Sequence, residues 1–592
     1  MLANMIIQRL AMIVAVAGQA CSAVRPSFMT PRFYVHQQAN TVVAAAEGRY
    51  PARNISVPVD HFHNDKSYEP HSNDTFQLRY WFDDSHYRDG GPVIVLLGGE
   101  TSGAERLPFM EKGILYRLAR ATRGMAVVLE HRYYGASFPT PNLTTENLRF
   151  LTTDQALADT AFFAKNVVFH GYENKNLTSY TTPYFAYGGS YAGAFAAFVR
   201  KLYPDVFWGA ISSSGVPLAV IDYWEYCEAQ RKFAPSECVT ATQKLTDALD
   251  TIAQDGDFEH MKQLKEVFGL SNLTNRNDFA NVLSSGIMGW QSLNWNPKVS
   301  NNLTYEYCAN VSSKIIKYPA TRALRSQVRD LLVLGGYKDA NDLETLTPQM
   351  LNYIGWINAT SVKDCKNMGA TQDECFSLVN PDAWKDDDLS TWSWRSWQYQ
   401  VCTQWGYFIT GSGYPENKLP LLSRLIDLPY LTLQCKYTFN MTALPDVDHI
   451  NKLGGLNFSY PRVAFVDGEA DPWLYAGVHA PEAPNRNSTD LEPFLLVKGG
   501  VHHWDENGLW DNETTAELPP REILNIQAQE VQMIQRWLGE WRRTRNVVER
   551  VQFRYTLEDT LDNTLDNTLE DTFEDTVDDR LEEMLEDMLN EA

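Results

Sequence analysis

The segment Tyr187-Gly188-Gly189-Ser190-Tyr191-Ala192-Gly193 sets one serine among small residues, between an apolar run at 184–188 and an apolar helical stretch at 191–203. A serine hydroxyl is a weak nucleophile until it is held exposed beside a base and a site for the developing oxyanion. A tight strand-turn-helix elbow gives that exposure, because its small neighbours permit the turn and the helix N-terminus aims backbone N–H groups at the reacting oxygen. The familiar G-x-S-x-G pattern has glycine two residues after the serine, and here that residue is Ala192.

A base and an orienting acid should follow Ser190 in the order acid, then histidine. Val466-Asp467-Gly468-Glu469-Ala470-Asp471-Pro472-Trp473 and Gly499-Gly500-Val501-His502-His503-Trp504 each come just after a strand-like run. They therefore fall at C-terminal strand ends, where open α/β sheets collect their sites. Asp471 would orient the imidazole and His502 would move the proton, with Asp467 and His503 as competitors on order alone. The N–H of Tyr191 is one expected oxyanion donor. Gly99, in the Gly98-Gly99-Glu100 loop, is the expected other, although two glycines there also suit an ordinary turn.

The elements that must hold these residues are short. Runs at 92–97 (PVIVLL) and 125–130 (MAVVLE) read as buried parallel strands joined by a helix over 105–122. A helix at 153–168, a strand at 184–188, a helix at 191–203 and a strand at 207–213 continue the alternation, which implies a doubly wound sheet. From about 217 to 435 the alternation stops, and the segment reads as a mostly helical insertion carrying Trp392, Trp394, Trp397 and Trp405. Strand-like runs return at 462–466 and 493–497, followed by a closing helix at 520–543. Trp473 and Trp397 are the expected walls of a substrate slot. Val57-Pro58-Val59-Asp60-His61-Phe62-His63 reads as an edge strand with alternating faces, so no metal site is expected there or elsewhere, nor any cofactor.

Residues 1–23 read as an export signal: Arg9 precedes an apolar run from Leu10 to Ala17, too short to span a bilayer, and small residues follow. Twelve N-x-[ST] sequons, at Asn54, Asn73, Asn142, Asn176, Asn272, Asn302, Asn310, Asn358, Asn440, Asn457, Asn487 and Asn512, point to a glycoprotein. Secretion is the expected destination, with a vacuolar or lysosome-like compartment as the alternative. Of eight cysteines, Cys21 would leave with the signal, so the remaining seven should make three disulfides and one thiol, all between 227 and 435. The net charge of -23 is concentrated in residues 556–592, an acidic low-complexity tail where fifteen acids face only Arg580. The body lacks the basic face that nucleic-acid binding requires.

The Gly-Gly-Ser-Tyr-Ala-Gly elbow, Glu130-His131-Arg132-Tyr133-Tyr134-Gly135, Trp397-Gln398-Tyr399-Gln400-Val401-Cys402-Thr403, Asp471-Pro472-Trp473 and His502-His503 together resemble the prolyl carboxypeptidase and dipeptidyl peptidase II family of serine peptidases. The similarity runs from about Val57 to Trp541 and is greatest to the secreted acid prolyl endopeptidases. It implies an α/β-hydrolase, residues 24–216 and 436–545, with a helical, disulfide-stapled cap over 217–435. It also implies cleavage after proline at acid pH, catalytic roles for Ser190, Asp471 and His502, and disulfides Cys227–Cys402 and Cys238–Cys308. Proline-containing peptides would be the substrates; a homodimer is left open. Gln404 stands where the mammalian exopeptidases have glutamate, which leaves the handling of substrate termini open. A lipase or esterase on the same fold, or a non-catalytic adhesion protein, remains an alternative.

Overall fold

The computed structural model describes residues 48–562, with side chains to 546. The signal-like segment and the acidic repeat beyond 562 lie outside the described residues. The chain divides into two units, residues 1–535 and 536–592. The second, where described, continues one long helix as far as Asp562.

The first unit is built on an eight-stranded sheet of order β1-β2-β4-β3-β5-β6-β9-β10. Strands β1 (Arg53–Pro58) and β2 (Thr75–Asp83) pair antiparallel, and β2 meets β4 (Met125–Leu129) antiparallel. From β4 onward all neighbours are parallel: β3 (Val93–Leu97), β5 (Tyr184–Gly189), β6 (Gly209–Ser213), β9 (Val463–Gly468) and β10 (Phe494–Val497). Every residue of β3, β4, β5, β6 and β9 is buried, as a parallel strand covered on both faces requires. Helices α1 (Ile114–Thr122), α2 (Thr153–Asn166) and α3 (Tyr191–Leu202) make the crossovers. With the nucleophile-type elbow between β5 and α3, this is the α/β-hydrolase fold.

Two expectations about elements are corrected. The helix expected over 105–122 is broken: a 3₁₀ turn at Gly103–Arg106 and a single turn at Pro108–Glu111 precede α1, because Pro108 starts a new turn and Gly113 caps the next. The edge strand expected through His63 stops at Pro58, and β2, unforeseen, completes the antiparallel margin.

Between β6 and β9 the chain is mostly helical, with α4 (Ser236–Gln254), α5 (Ala340–Ile357) and α6 (Trp392–Gln400) as its main helices. A two-stranded parallel ribbon, β7 (Val220–Asp222) with β8 (Gly406–Phe408), closes its neck. The closing helix α7 spans Arg521–Asp562, longer than expected. Among the described residues no helix is long and apolar enough to cross a membrane.

Three disulfides staple the insertion: Cys238–Cys308, as the resemblance implied, Cys365–Cys375 and Cys402–Cys435. The implied Cys227–Cys402 bridge is therefore wrong. Cys402, in the π-turn after α6, has its Cα 5.6 Å from that of Cys435, within bridging range. Cys227 is left free and buried, and burial pushes its thiol up to about 12. Non-reducing peptide mapping should recover these three linked pairs, and Cys227 should alkylate only after denaturation. A Cys227–Cys402 peptide, or rapid alkylation of the native protein, would contradict this arrangement.

Candidate active site

Ser190 sits at the junction of β5 and α3 with φ 62° and ψ -128°, outside the ordinary allowed regions for a residue with a Cβ. Its own N–H is anchored to the Ser213 carbonyl at 2.9 Å, and its carbonyl accepts from Gly193 N at 2.8 Å to start the helix. Glycine is required at 188, where a Cβ would lie 1.9 Å from the Ala192 carbonyl oxygen. The Gly99 loop crosses this first turn: Gly99 has φ +67°, and a Cβ there would sit 3.1 Å from that of Ala192. Gly99 thus lies against Ala192 in the turn that follows Ser190.

Beyond β9 and β10, the structure brings together one acid and one histidine. His502 Nδ1 lies 2.9 and 3.0 Å from the two carboxylate oxygens of Asp471, and both residues are buried. His502 Nε2 is buried with no hydrogen-bond partner among the described residues. The competitors have other partners. Asp467 binds His479 Nδ1 at 2.7 Å, and His503 Nδ1 lies 2.9 Å from Glu506. His503 also packs on Gly189, where a Cβ would come 3.3 Å from its ring.

Burial pushes the His502 imidazole below its ordinary value, and although Asp471 pulls it up, burial prevails. Burial would also raise Asp471, but the facing His502 and hydrogen bonds from His502, Ser214 and the Trp473 amide hold that carboxyl below the usual range. The pair thus favours a neutral imidazole resting on an ionised carboxylate.

Trp473 and Trp397 line one cleft of ≈ 680 Å³, open mouth included, together with Met288, Tyr407, Phe408 and Leu422. Trp473 stacks on Tyr223 at 5.2 Å and lies 6.4 Å from the His502 ring, while its indole N–H donates to Gln291 at 2.8 Å. Trp397 meets Tyr191 edge-on at 5.4 Å.

Other motif residues brace the loops. Glu130 is 2% exposed and accepts from Arg79, Gly103 N, Ala136 N and Ser137, so it ties three segments together. His131 Nε2 lies 3.1 Å from the Tyr191 hydroxyl, to which Gln400 also donates, and burial lowers its imidazole to about 4. Gln404 accepts from Thr153 N and Oγ1 at the start of α2, so the glutamine-for-glutamate difference lies in a structural contact.

Sequence reasoning missed the acids behind the histidines. Asp505 accepts from the hydroxyls of Tyr187 at 2.6 Å and Ser213 at 2.5 Å, and the wholly buried Glu530 of α7 faces it. Only their closeness in sequence to His502 could have drawn notice to Asp505 and Glu506, and nothing marked Glu530. Burial, and then the Asp505 carboxylate, holds Glu530 well above the usual range. The folded protein keeps this proton, while an unfolded glutamate releases it near about pH 4.3. Above that pH the folded state binds the extra proton, so this carboxyl's contribution to stability falls as pH rises toward its folded pKa. Glu530→Gln should therefore flatten the decline of thermal midpoint between about pH 4.5 and 8. Parallel wild-type and variant curves would show that Glu530 does not hold that proton.

The serine carboxypeptidase S28 family model matches residues 58–519. A probable extracellular serine carboxypeptidase of Arthroderma benhamiae is 49% identical over 490 residues, covering 83% of this chain and 68% of that one. The serine protease vicPa of Bipolaris victoriae is 30% identical, over 73% of this chain and 80% of its own. The thymus-specific serine protease of Homo sapiens is 26% identical, again over 73% of this chain and 80% of that one. An α/β-hydrolase whose elbow serine, acid and histidine follow in this order, matched over most of its length by such a model, belongs to the serine carboxypeptidase S28 family of serine-type peptidases.

Proposed function

We propose that the protein is a secreted serine peptidase that cleaves on the carboxyl side of proline through an acyl-enzyme formed on Ser190. The observation that carries this reading is the buried Asp471–His502 pair, whose Nε2 has no hydrogen-bond partner among the described residues and suits a hydroxyl or a leaving group. Ser190 Oγ attacks the scissile carbonyl and passes its proton to His502 Nε2, while the Asp471 carboxylate stabilises the imidazolium. The N–H groups of Tyr191 and Gly99 receive the oxyanion. On collapse, His502 returns the proton to the departing amine; water then attacks the acyl-enzyme with His502 again as base. No cofactor enters this cycle.

Export and glycosylation are part of the proposal. The Arthroderma relative is described as extracellular, and none of the twelve sequon asparagines is buried, with only Asn142, Asn310 and Asn358 half-buried.

Proline fits the cleft chemically. Its ring is apolar and rigid, and it lacks the N–H that would need an acceptor. Walls of Trp473, Tyr407 and Trp397 offer such a ring flat apolar surfaces. Acid activity follows from the lowered His502: a base displaced below the ordinary histidine value stays neutral at a pH where an exposed histidine, near about 6.5, is mostly protonated.

Ser190→Ala should remain folded and secreted but lose covalent labelling by a fluorophosphonate, and activity should drop by at least about 10³-fold. His502→Ala should be nearly as inactive, and His503→Ala should keep substantial turnover. Surviving label on Ser190→Ala, or exchanged behaviour of the two histidines, would overturn the assignment.

Matched peptides with proline, alanine or leucine before the scissile bond, measured from pH 3 to 8, test specificity. Proline should lead in kcat/KM by about tenfold or more, and Trp473→Ala should narrow that lead. Mass spectrometry of products from a peptide with several prolines reads which bonds are cut. Leucine equal to proline would rule out the slot, and a profile rising only above pH 7 would rule out the lowered histidine.

A further inference from the structure

Because β1 ends at Pro58, the residues after it do not alternate between two faces of a sheet. The chain at 59–71 instead forms a loop beside the start of α2, and it gathers Asp60, His63 and His71. One ligand atom from each lies within 4.8 Å of the others. His71 Nδ1 is 2.7 Å from Asp60 Oδ2, and the rings of His63 and His71 are centred 5.4 Å apart.

The carboxylate is aimed by its surroundings. Asp60 is 1% exposed, and its other oxygen accepts from Phe62 N at 2.8 Å and Gln155 Nε2 at 2.7 Å. Gln155 is itself fixed, since its Oε1 accepts from His61 N at 2.9 Å. Such outer hydrogen bonds are what orient a ligating carboxylate. His61 is not part of the group: its Nε2 lies 2.8 Å from Asp159, which also pairs with Arg132. His63 is exposed and so is free to swing toward the other two.

We infer that Asp60, His63 and His71 form a binding site for a divalent transition ion of the zinc type, which clasps the 59–71 loop. Two imidazoles with one carboxylate suit zinc, nickel or copper, whereas calcium and magnesium take oxygen donors. Ligands about 2.0–2.1 Å from a tetrahedral ion stand about 3.3 Å apart, so the donors need close by only about 1.5 Å at most. The exposed His63 side leaves a fourth position for water. The ion would take the place of the hydrogen between Asp60 Oδ2 and His71 Nδ1, and the neutral His71 ring would carry its proton on Nε2 instead.

The test is calorimetric titration of zinc into chelator-stripped protein without a histidine tag at about pH 7.5. One equivalent should bind, weakened at least about tenfold in His63→Ala and in His71→Ala. Zinc should raise the thermal midpoint of the wild type and not that of His63→Ala, whose retained peptide hydrolysis shows that it is folded. Failure of the wild type to bind zinc would overturn the inference. So would unchanged affinity in both variants, or an equal midpoint shift in wild type and His63→Ala.

Discussion

The positive φ of Ser190 is the constraint on which the rest of the site depends. A residue with a Cβ held at φ 62° and ψ -128° costs on the order of 1–3 kcal/mol, and it persists only where its surroundings leave no alternative. Here β5 is locked between β3 and β6, and the Ser190 N–H is tied to Ser213 of β6. The helix that follows then packs so closely that a Cβ at Gly193 would stand 2.9 Å from the Gly215 Cα. The departure at Ala192 is absorbed across the gap. The residue facing its methyl group is Gly99, which has no Cβ to collide with it. The close approach that the usual motif builds into one segment is here shared between two.

Behind the elbow, acids outnumber the histidines they meet. Asp471 faces His502, Asp467 faces His479 and Glu506 faces His503, while Asp505 and Glu530 face each other. Asp471 and Glu506 are held below the usual carboxylate range, because a facing histidine offsets the cost of burial, whereas at Asp467 burial outweighs His479 and raises the carboxyl. Among the described residues the last pair has the Tyr187 and Ser213 hydroxyls as its side-chain donors, so the two buried carboxyls are stable together with a proton between them. The two shifts run the same way with pH: Glu530 keeps its proton above the usual carboxylate range, and His502 stays neutral to a lower pH than an exposed histidine.

The sequence was most legible where one local rule sufficed. The all-buried runs of β3, β4 and β5 and the small residues around Ser190 each state their role within a few positions. β2 carries a readable alternation, with Phe76, Leu78 and Tyr80 buried against exposed Thr75 and Gln77, but Arg79 within it resembles a surface residue until its partner Glu130 is seen. What stayed hidden depended on pairing across the chain. Order alone left Asp467 against Asp471 and His502 against His503; the resemblance favoured Asp471 and His502, and in the structure these two face each other while Asp467 meets His479 and His503 meets Glu506. The Cys227–Cys402 pairing failed for the same reason, since Cys435 reaches Cys402 through the packing of two insertion helices that no spacing rule encodes.

Indole N–H groups explain why the insertion and the loops carrying Asp471 and His502 act as one body. Trp290 donates to the Ala470 carbonyl at 2.9 Å, and Trp473 donates to Gln291 at 2.8 Å, so two neighbouring residues of the insertion hold the Asp471 loop from both sides. Trp295 donates to the Trp504 carbonyl, and Trp504 donates in return to the Leu293 carbonyl, each at 2.8 Å, which fixes the segment after His502 in the same way. An indole has one donor and a large apolar face, so each of these residues both orients a backbone carbonyl or amide and excludes water beside it. Trp290 and Leu293 of the insertion also pack with Val501, next to His502 in the chain, so the insertion braces the backbone on both sides of the imidazole as well as shaping the cleft.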